Sequence, residues 1–446
     1  MIRVAVTGLG CITPIGNTVA DFRDSLYAGR TGIAPFDRNF PGALDPDSGL
    51  RFKATALVKN FDPVNHPAQK LASGVMVASD TSAQFGIVAA RQAVEHSGLL
   101  AHYAPESVTI LTGCACGGRA ADEDANRHLY TRNARVPPTA ILRTMSSSGA
   151  SSIAIETGIT GPVLNISTAC ASSTHSIGLA FHMVRSGQAP AAIAGGYEAA
   201  LTFGFLRAWD SMRVVSPTAC RPFAADRDGM TLGEGATMLV LEPLEAALAR
   251  GAHIYAEVVG FGMSADAHHI TQPRAEGAAL AMRRAIDDIT TTLGPPISLG
   301  APSSRPQGAK VGEEAGALHL GVTWASSIGY INAHGTGTLT NDAVEAAAIH
   351  QALGPHAPHI PVGALKSLTG HSIGAAGAIE ALATILALDS ASLPHTANIG
   401  AVDPALNLDV ITDHPRPLAP GKDIALSNSL AFGGLNAVLA LRRFTP

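Results

Sequence analysis

Three short segments carry side chains able to do covalent chemistry. The first is Ser167-Thr168-Ala169-Cys170-Ala171-Ser172-Ser173. The apolar run Val163–Ile166 precedes it, and a helical pattern follows with Ile177, Leu179, Ala180, Met183 and Val184 apolar. Cys170 is therefore predicted at a strand-to-helix turn among small residues. Such a turn exposes a nucleophile at a helix start, where dipole density favours the thiolate and free N–H groups bind an oxyanion. A buried structural thiol is the competing reading. The second segment is Asn332-Ala333-His334-Gly335-Thr336-Gly337-Thr338, followed by Asp342 and Glu345. A strand over 328–331 would end at this loop; its glycines allow close approach to a ligand and its threonines supply hydroxyls. The third is Lys366-Ser367-Leu368-Thr369-Gly370-His371, ahead of a helix over 375–388 with Glu380 on an early turn. Lys366 also reads as a solvated strand-end charge and His371 as a helix cap.

One cysteine, two histidines, a lysine and a glutamate do not form a cysteine-protease set, which needs one imidazole with an Asn or Asp orienter. His334 and His371 lack a third ligand at metal spacing, so no metal site is expected. The set suits decarboxylative condensation. An acyl group rests on Cys170, a malonyl thioester loses CO2, and two imidazole donors stabilise the enolate oxygen better than one. A fourth segment, Asn428 to Asn436, holds Phe432-Gly433-Gly434 and reads either as a mobile loop that opens a pocket or as a tight hairpin turn.

These loops need a layered α/β scaffold. The chain has 446 residues, 46% of them hydrophobic and 15% charged, enough for a large core. Short apolar runs at 4–6, 108–111, 163–166, 238–241 and 438–441 read as strands, with helical patterns at 81–97, 243–250 and 278–289. Val6-Thr7-Gly8-Leu9-Gly10 is echoed by Val258-Val259-Gly260-Phe261-Gly262. Both parts close on a Gly-rich segment and a strand, which points to a duplication. Residues 1–255 would form one half and 256–446 the other. Residues 293–321 are rich in Gly, Pro, Ser and Ala and read as a surface insertion. The net charge of -5 argues against nucleic acid as a partner. No secretory signal and no apolar run long enough to span a bilayer stand out, so a cytoplasmic protein away from membranes is expected. Five cysteines without a disulfide rhythm read as free buried thiols.

With these residues placed, the chain resembles the β-ketoacyl-acyl-carrier-protein synthases of type II fatty-acid and polyketide systems, the thiolase-fold condensing enzymes. The resemblance runs from Thr7-Gly8-Leu9-Gly10 and Thr13-Pro14-Ile15-Gly16 through the Cys170 segment, Arg221-Pro222-Phe223 and Arg227-Asp228-Gly229, to Asn436. It implies a thiolase-like, duplicated, five-layered αβαβα fold, usually dimeric. It implies that Cys170 accepts the acyl group and that His334 and His371 promote malonyl decarboxylation, supported by Lys366 and Glu380. Thr336, Thr338 and, less directly, Thr271 resemble the residues that hold a phosphopantetheine arm. Phe432 resembles the gating aromatic, its N–H an oxyanion donor beside that of Cys170. Cys116, in Thr112-Gly113-Cys114-Ala115-Cys116-Gly117, stands where elongating members often have a bulkier aliphatic lining the acyl pocket. No bound cofactor is implied; the substrates ride on the 4'-phosphopantetheine of an acyl carrier protein. A related ketosynthase or chain-length-factor chain is the expected alternative to a homodimer.

The sequence also departs from housekeeping members. Ala431 replaces a glycine before Phe432, and after Phe61-Asp62 the usual basic cluster is reduced to Lys70 and little else over 66–79. These departures point to a specialised polyketide or polyene pathway, with ordinary fatty-acid elongation as the alternative. A non-catalytic partner subunit is disfavoured by the presence of Cys170. A degradative thiolase is disfavoured because no cysteine follows Cys220.

Overall fold

The computed structural model describes residues 1–35, 49–133, 135–296 and 324–445. Eleven strands form its main sheet: β1 Val4–Ile12, β2 Val108–Gly113, β3 Val163–Ile166, β4 Ala191–Glu198, β5 Gly235–Pro243, β6 Ala256–Ala265, β7 Ile328–Asn332, β8 Pro361–Gly363, β9 Asp409–Val410, β10 Ile424–Ala431 and β11 Leu435–Arg443. Along the sheet they run β9-β8-β7-β10-β11-β6-β1-β5-β4-β2-β3. Outward from β1 the order is β5, β4, β2, β3; outward from β6 it is β11, β10, β7, β8. The pairing directions repeat as well. Two antiparallel pairings beside β1 and β6 give way to parallel ones, two in the first half and three in the second. A three-residue antiparallel ladder joins the halves, Val4–Val6 against Ala256–Val258.

The helices repeat in the same way. Those that cover the sheet or carry the site are α1 Thr81–Ser97, α2 Ser172–Arg185, α3 Phe203–Met212, α4 Ala275–Leu293, α5 Leu339–Leu353 and α6 Ala376–Ser390. Helix α1 covers β1 and β5, and α4 covers β6 and β11, as outer layers. Helices α2 and α6 pack on each other and touch strands of both half-sheets, forming the middle layer. This is the duplicated five-layered αβαβα fold of thiolase-like proteins.

The middle layer is dry, and every residue of α6 from Ala376 to Leu388 is buried. Contrary to expectation, one run among the described residues is long and apolar enough to cross a bilayer: Ile373–Ser390, which contains α6 and is 89% buried here. A helix that is apolar all round belongs in a core as readily as in a membrane. The close approach of α2 and α6 needs Gly377, since a Cβ there would lie 1.9 Å from Thr174 Oγ1. That hydroxyl pairs with Ser429 Oγ of β10 at 2.6 Å and ties both halves together.

Element ends shift from expectation in places. The helix predicted over 278–289 runs Ala275–Leu293, the one over 243–250 runs Leu244–Ala249, and α6 starts one residue late. Leu293, placed in the insertion from sequence, closes α4 instead; from residue 297 that segment lies outside the described residues.

Candidate active site

Each half delivers its chemistry from the ends of parallel strands. In the first half the chain leaves β3, makes a one-turn helix over Ala169–Ala171 and enters α2. Ala169 takes a left-handed φ of 49°, which turns the chain sharply ahead of Cys170. Ser172 pins the turn: its Oγ accepts from Thr168 N at 2.9 Å and donates to Ala169 O at 2.7 Å. In the second half β7 ends at Asn332 and leads into the His334 loop, while β8 leads to Lys366 and His371. Buried Glu345 of α5 accepts from His334 N and Gly335 N, each at 2.8 Å, and fixes that loop. Asp342, also on α5, accepts from Thr336 N at 3.1 Å and Gly337 N at 3.2 Å.

The loops converge. Ligand atoms of Cys170, His334 and His371 all lie within 4.8 Å of one another. His371 Nε2 is 3.0 Å from Cys170 Sγ, and the two imidazoles meet edge to face with centroids 5.3 Å apart. Lys366 is neither solvated nor at a strand end: it is 1% exposed. Its Nζ donates to His334 Nδ1 at 3.1 Å, to His334 O at 2.6 Å and to Glu380 Oε1 in a close ion pair. A lysine donating to Nδ1 leaves the His334 proton on Nε2, so that nitrogen is a donor. His371 is likewise no helix cap; its N–H donates to Thr231 O at 2.7 Å.

Electrostatics correct one expectation. The turn does not expose Cys170, which is buried, and burial pushes its thiol up to about 11. Lys366 and the backbone N–H groups of Phe432 and Cys170 oppose that rise without overcoming it. Burial, reinforced by Lys366, holds both imidazoles well below their usual range. The resting pair is thus a neutral thiol beside a neutral imidazole. Burial also raises Glu380, to about 7, against the pull of Lys366.

A cavity of about 280 Å3 leads to the cluster and is lined by Cys170, both histidines, Thr271, Thr336, Thr338 and Phe432. Thr336 and Thr338 share a hydroxyl contact of 2.9 Å. The segment from Asn428 to Asn436 is a tight hairpin, with Phe432-Gly433-Gly434 joining β10 to β11. Cys116 does not line this cavity. It is half-buried, against the expectation for the free thiols, and packs with Ala115 and Phe432 on an apolar cluster beyond it.

Arg213, Val214 and Met230 are among the cavity residues that drew no attention in the sequence. Glu198 was also missed. It closes the buried strand β4 and accepts from Ala115 N at 2.9 Å and from Cys116 N and Gly374 N at 3.2 Å. A charged residue ending an apolar strand reads as a surface end, which is why it carried no signal.

A paired imidazole and thiol on a duplicated thiolase-like scaffold fit an acyl-transferring condensing enzyme. Comparison with known proteins agrees. The β-ketoacyl synthase N-terminal domain family matches residues 1–247, and the C-terminal domain family matches 298–400. The chain belongs to the β-ketoacyl synthase family. It is 38% identical to 3-oxoacyl-[acyl-carrier-protein] synthase 2 of Synechocystis sp. (99% of this chain, 98% of that one). It is 34% identical to nodulation protein E of Rhizobium leguminosarum bv. trifolii, over 99% of both chains. Among solved structures, the ishigamide ketosynthase/chain length factor aligns over 100% of both chains with TM-score 0.85 and 32% identity. A ketosynthase complex with a type II polyketide acyl carrier protein aligns over 99% of this chain and 100% of that one, with TM-score 0.81 and 28% identity.

Proposed function

We propose that Cys170 takes an acyl group from an acyl carrier protein and that the chain then joins it to a malonyl unit with loss of CO2. The observation that carries this is the 3.0 Å contact between Cys170 Sγ and His371 Nε2, with His334 beside them. His371 receives the thiol proton as the C–S bond of the acyl-cysteine forms, and returns it to the carrier's sulfur as the acyl-carrier thioester bond breaks. When malonyl thioester loses CO2, charge collects on its thioester oxygen. The Nε2–H of His334, oriented by Lys366, donates to that oxygen, and so does His371 once its ring proton sits on Nε2, which its unpartnered Nδ1 leaves open. The carbanion attacks the acyl carbonyl, whose oxyanion is held by the N–H groups of Cys170 and Phe432. The C–S bond then breaks, returning Cys170 and releasing the β-ketoacyl thioester. Glu380 balances Lys366 within the dry site.

Thr336, Thr338 and Thr271, which line the cavity, suit the hydroxyl and amide groups of a phosphopantetheine arm, and the carrier's arm is the only prosthetic group the reaction needs. Free thiols suit a reducing cytoplasm. The assembly is a homodimer or a pair with a related ketosynthase or chain-length-factor chain. The pathway is a specialised polyketide or polyene one, supported by Ala431 and the single Lys70 at the expected carrier-docking face. Housekeeping elongation is the second reading, favoured by the 38% identity to a synthase of that name. Incubation with acyl-carrier thioesters followed by peptide mapping tests the core claim: the acyl mass should sit on Cys170. Its appearance on Cys11, Cys114, Cys116 or Cys220 instead would sink the proposal.

A further inference from the structure

Helix α3 carries Phe205 and Trp209 four residues apart, hence on one face. Trp209 stacks on Phe432 with ring centroids 5.7 Å apart and planes at 25°. Phe205 meets the Trp209 ring edge-on at 5.9 Å and 75°. The three rings belong to an apolar cluster that holds Leu201, Leu206 and Ile373, with Cys116 packed against it. Of that cluster only Val214, Met230 and Phe432 also line the cavity at Cys170. Phe432 therefore stands between the cavity and the apolar cluster, and its ring is held there by an indole face.

We infer that Trp209 is a specificity-determining residue that selects flat, conjugated acyl chains. The inference rests on the condensing reaction proposed above. A chain bound to Cys170 that extends into the apolar cluster must move the Phe432 ring off Trp209, and the stacking energy is lost. A conjugated chain lays a planar π-system on the vacated indole face and recovers that energy. A saturated chain recovers only dispersion and must also freeze its rotors. Cys116 favours the same outcome, since a small side chain there leaves width for a rigid chain that cannot bend around a larger one.

The test uses the full-length chain, with its partner subunit if one co-purifies. Acylation of Cys170 is timed by intact mass with an eight-carbon conjugated trienoyl carrier thioester and with octanoyl carrier thioester. The wild type should favour the trienoyl chain. Trp209→Leu should cut the ratio by about two- to tenfold, and Trp209→Phe should keep most of it. The chain has two tryptophans, so Trp324→Phe leaves Trp209 as sole emitter. Its emission should shift when Cys170 is acylated, as Phe432 leaves the indole. A wild type without preference, or a Trp209→Leu ratio equal to wild type, overturns the inference while the condensing reaction stands. No mass gain on Cys170 with either thioester overturns both.

Discussion

A thiol and an imidazole in a buried pocket settle their proton by solvation before any catalytic argument applies. Burial raises Cys170 to about 11 and depresses His371, so the proton stays on sulfur at neutral pH. Alkylation of Cys170 by iodoacetamide should therefore keep rising from about pH 8 to about pH 10. A plateau reached below pH 8 would mean a resting thiolate–imidazolium pair instead. The donors are tested separately. His334→Ala and His371→Ala should each slow CO2 release from malonyl thioester by about 10²–10³, the usual cost of one such donor. His334→Ala should affect Cys170 acylation far less, because its imidazole is turned by Lys366 rather than bonded to the sulfur. Normal CO2 release in both variants would remove the role assigned to them. Cys170, His334, Lys366 and His371 were legible in sequence because each lies in a local run of small residues after a strand. Their protonation was not, because it depends on burial by segments far along the chain.

At the scale of elements, the helices were legible where their ends are marked. Helix α1 spans the predicted residues because the Asp80 side chain caps its first turn and Gly98 ends it at φ 64°. Helix α3 carried no comparable signal. The significance of Trp209 depends on Phe432, which arrives from the far end of the chain. The crossing of α2 and α6 was equally hidden, since Gly377 looks like any helical glycine until Thr174 is placed beside it. Gly377→Ala should cost about 1–3 kcal/mol by overpacking and lower the melting temperature. Gly74→Ala makes the control, as nothing lies within 4 Å of its added Cβ. Equal melting temperatures for the two variants would show that the helices can separate to admit a methyl group.

At the scale of the whole molecule, the duplication showed in sequence only as an echo of glycine-bearing strands, because packing constrains strand order far more than residue identity. The purified chain alone should elongate saturated C8 to C14 carrier thioesters poorly and gain activity with a related partner chain. Robust elongation by a homodimer would return it to housekeeping synthesis. The repeat extends to the nucleophile's own turn. Ala169 at φ 49° stands three residues before α2, and Ile373 at φ 47° stands three before α6. Cys170 thus has a counterpart in Gly374. The Cys170 N–H faces its own sulfur, whereas the Gly374 N–H is held by a Glu198 carboxylate oxygen at 3.2 Å. One backbone device is therefore used twice in this interior. In the first copy, in the reaction proposed above, the anion is a passing guest, present only while a bond is being made. In the second a carboxyl group of the protein itself fills the cradle, which has become a bolt that locks the wall beside Cys116 to the loop behind His371.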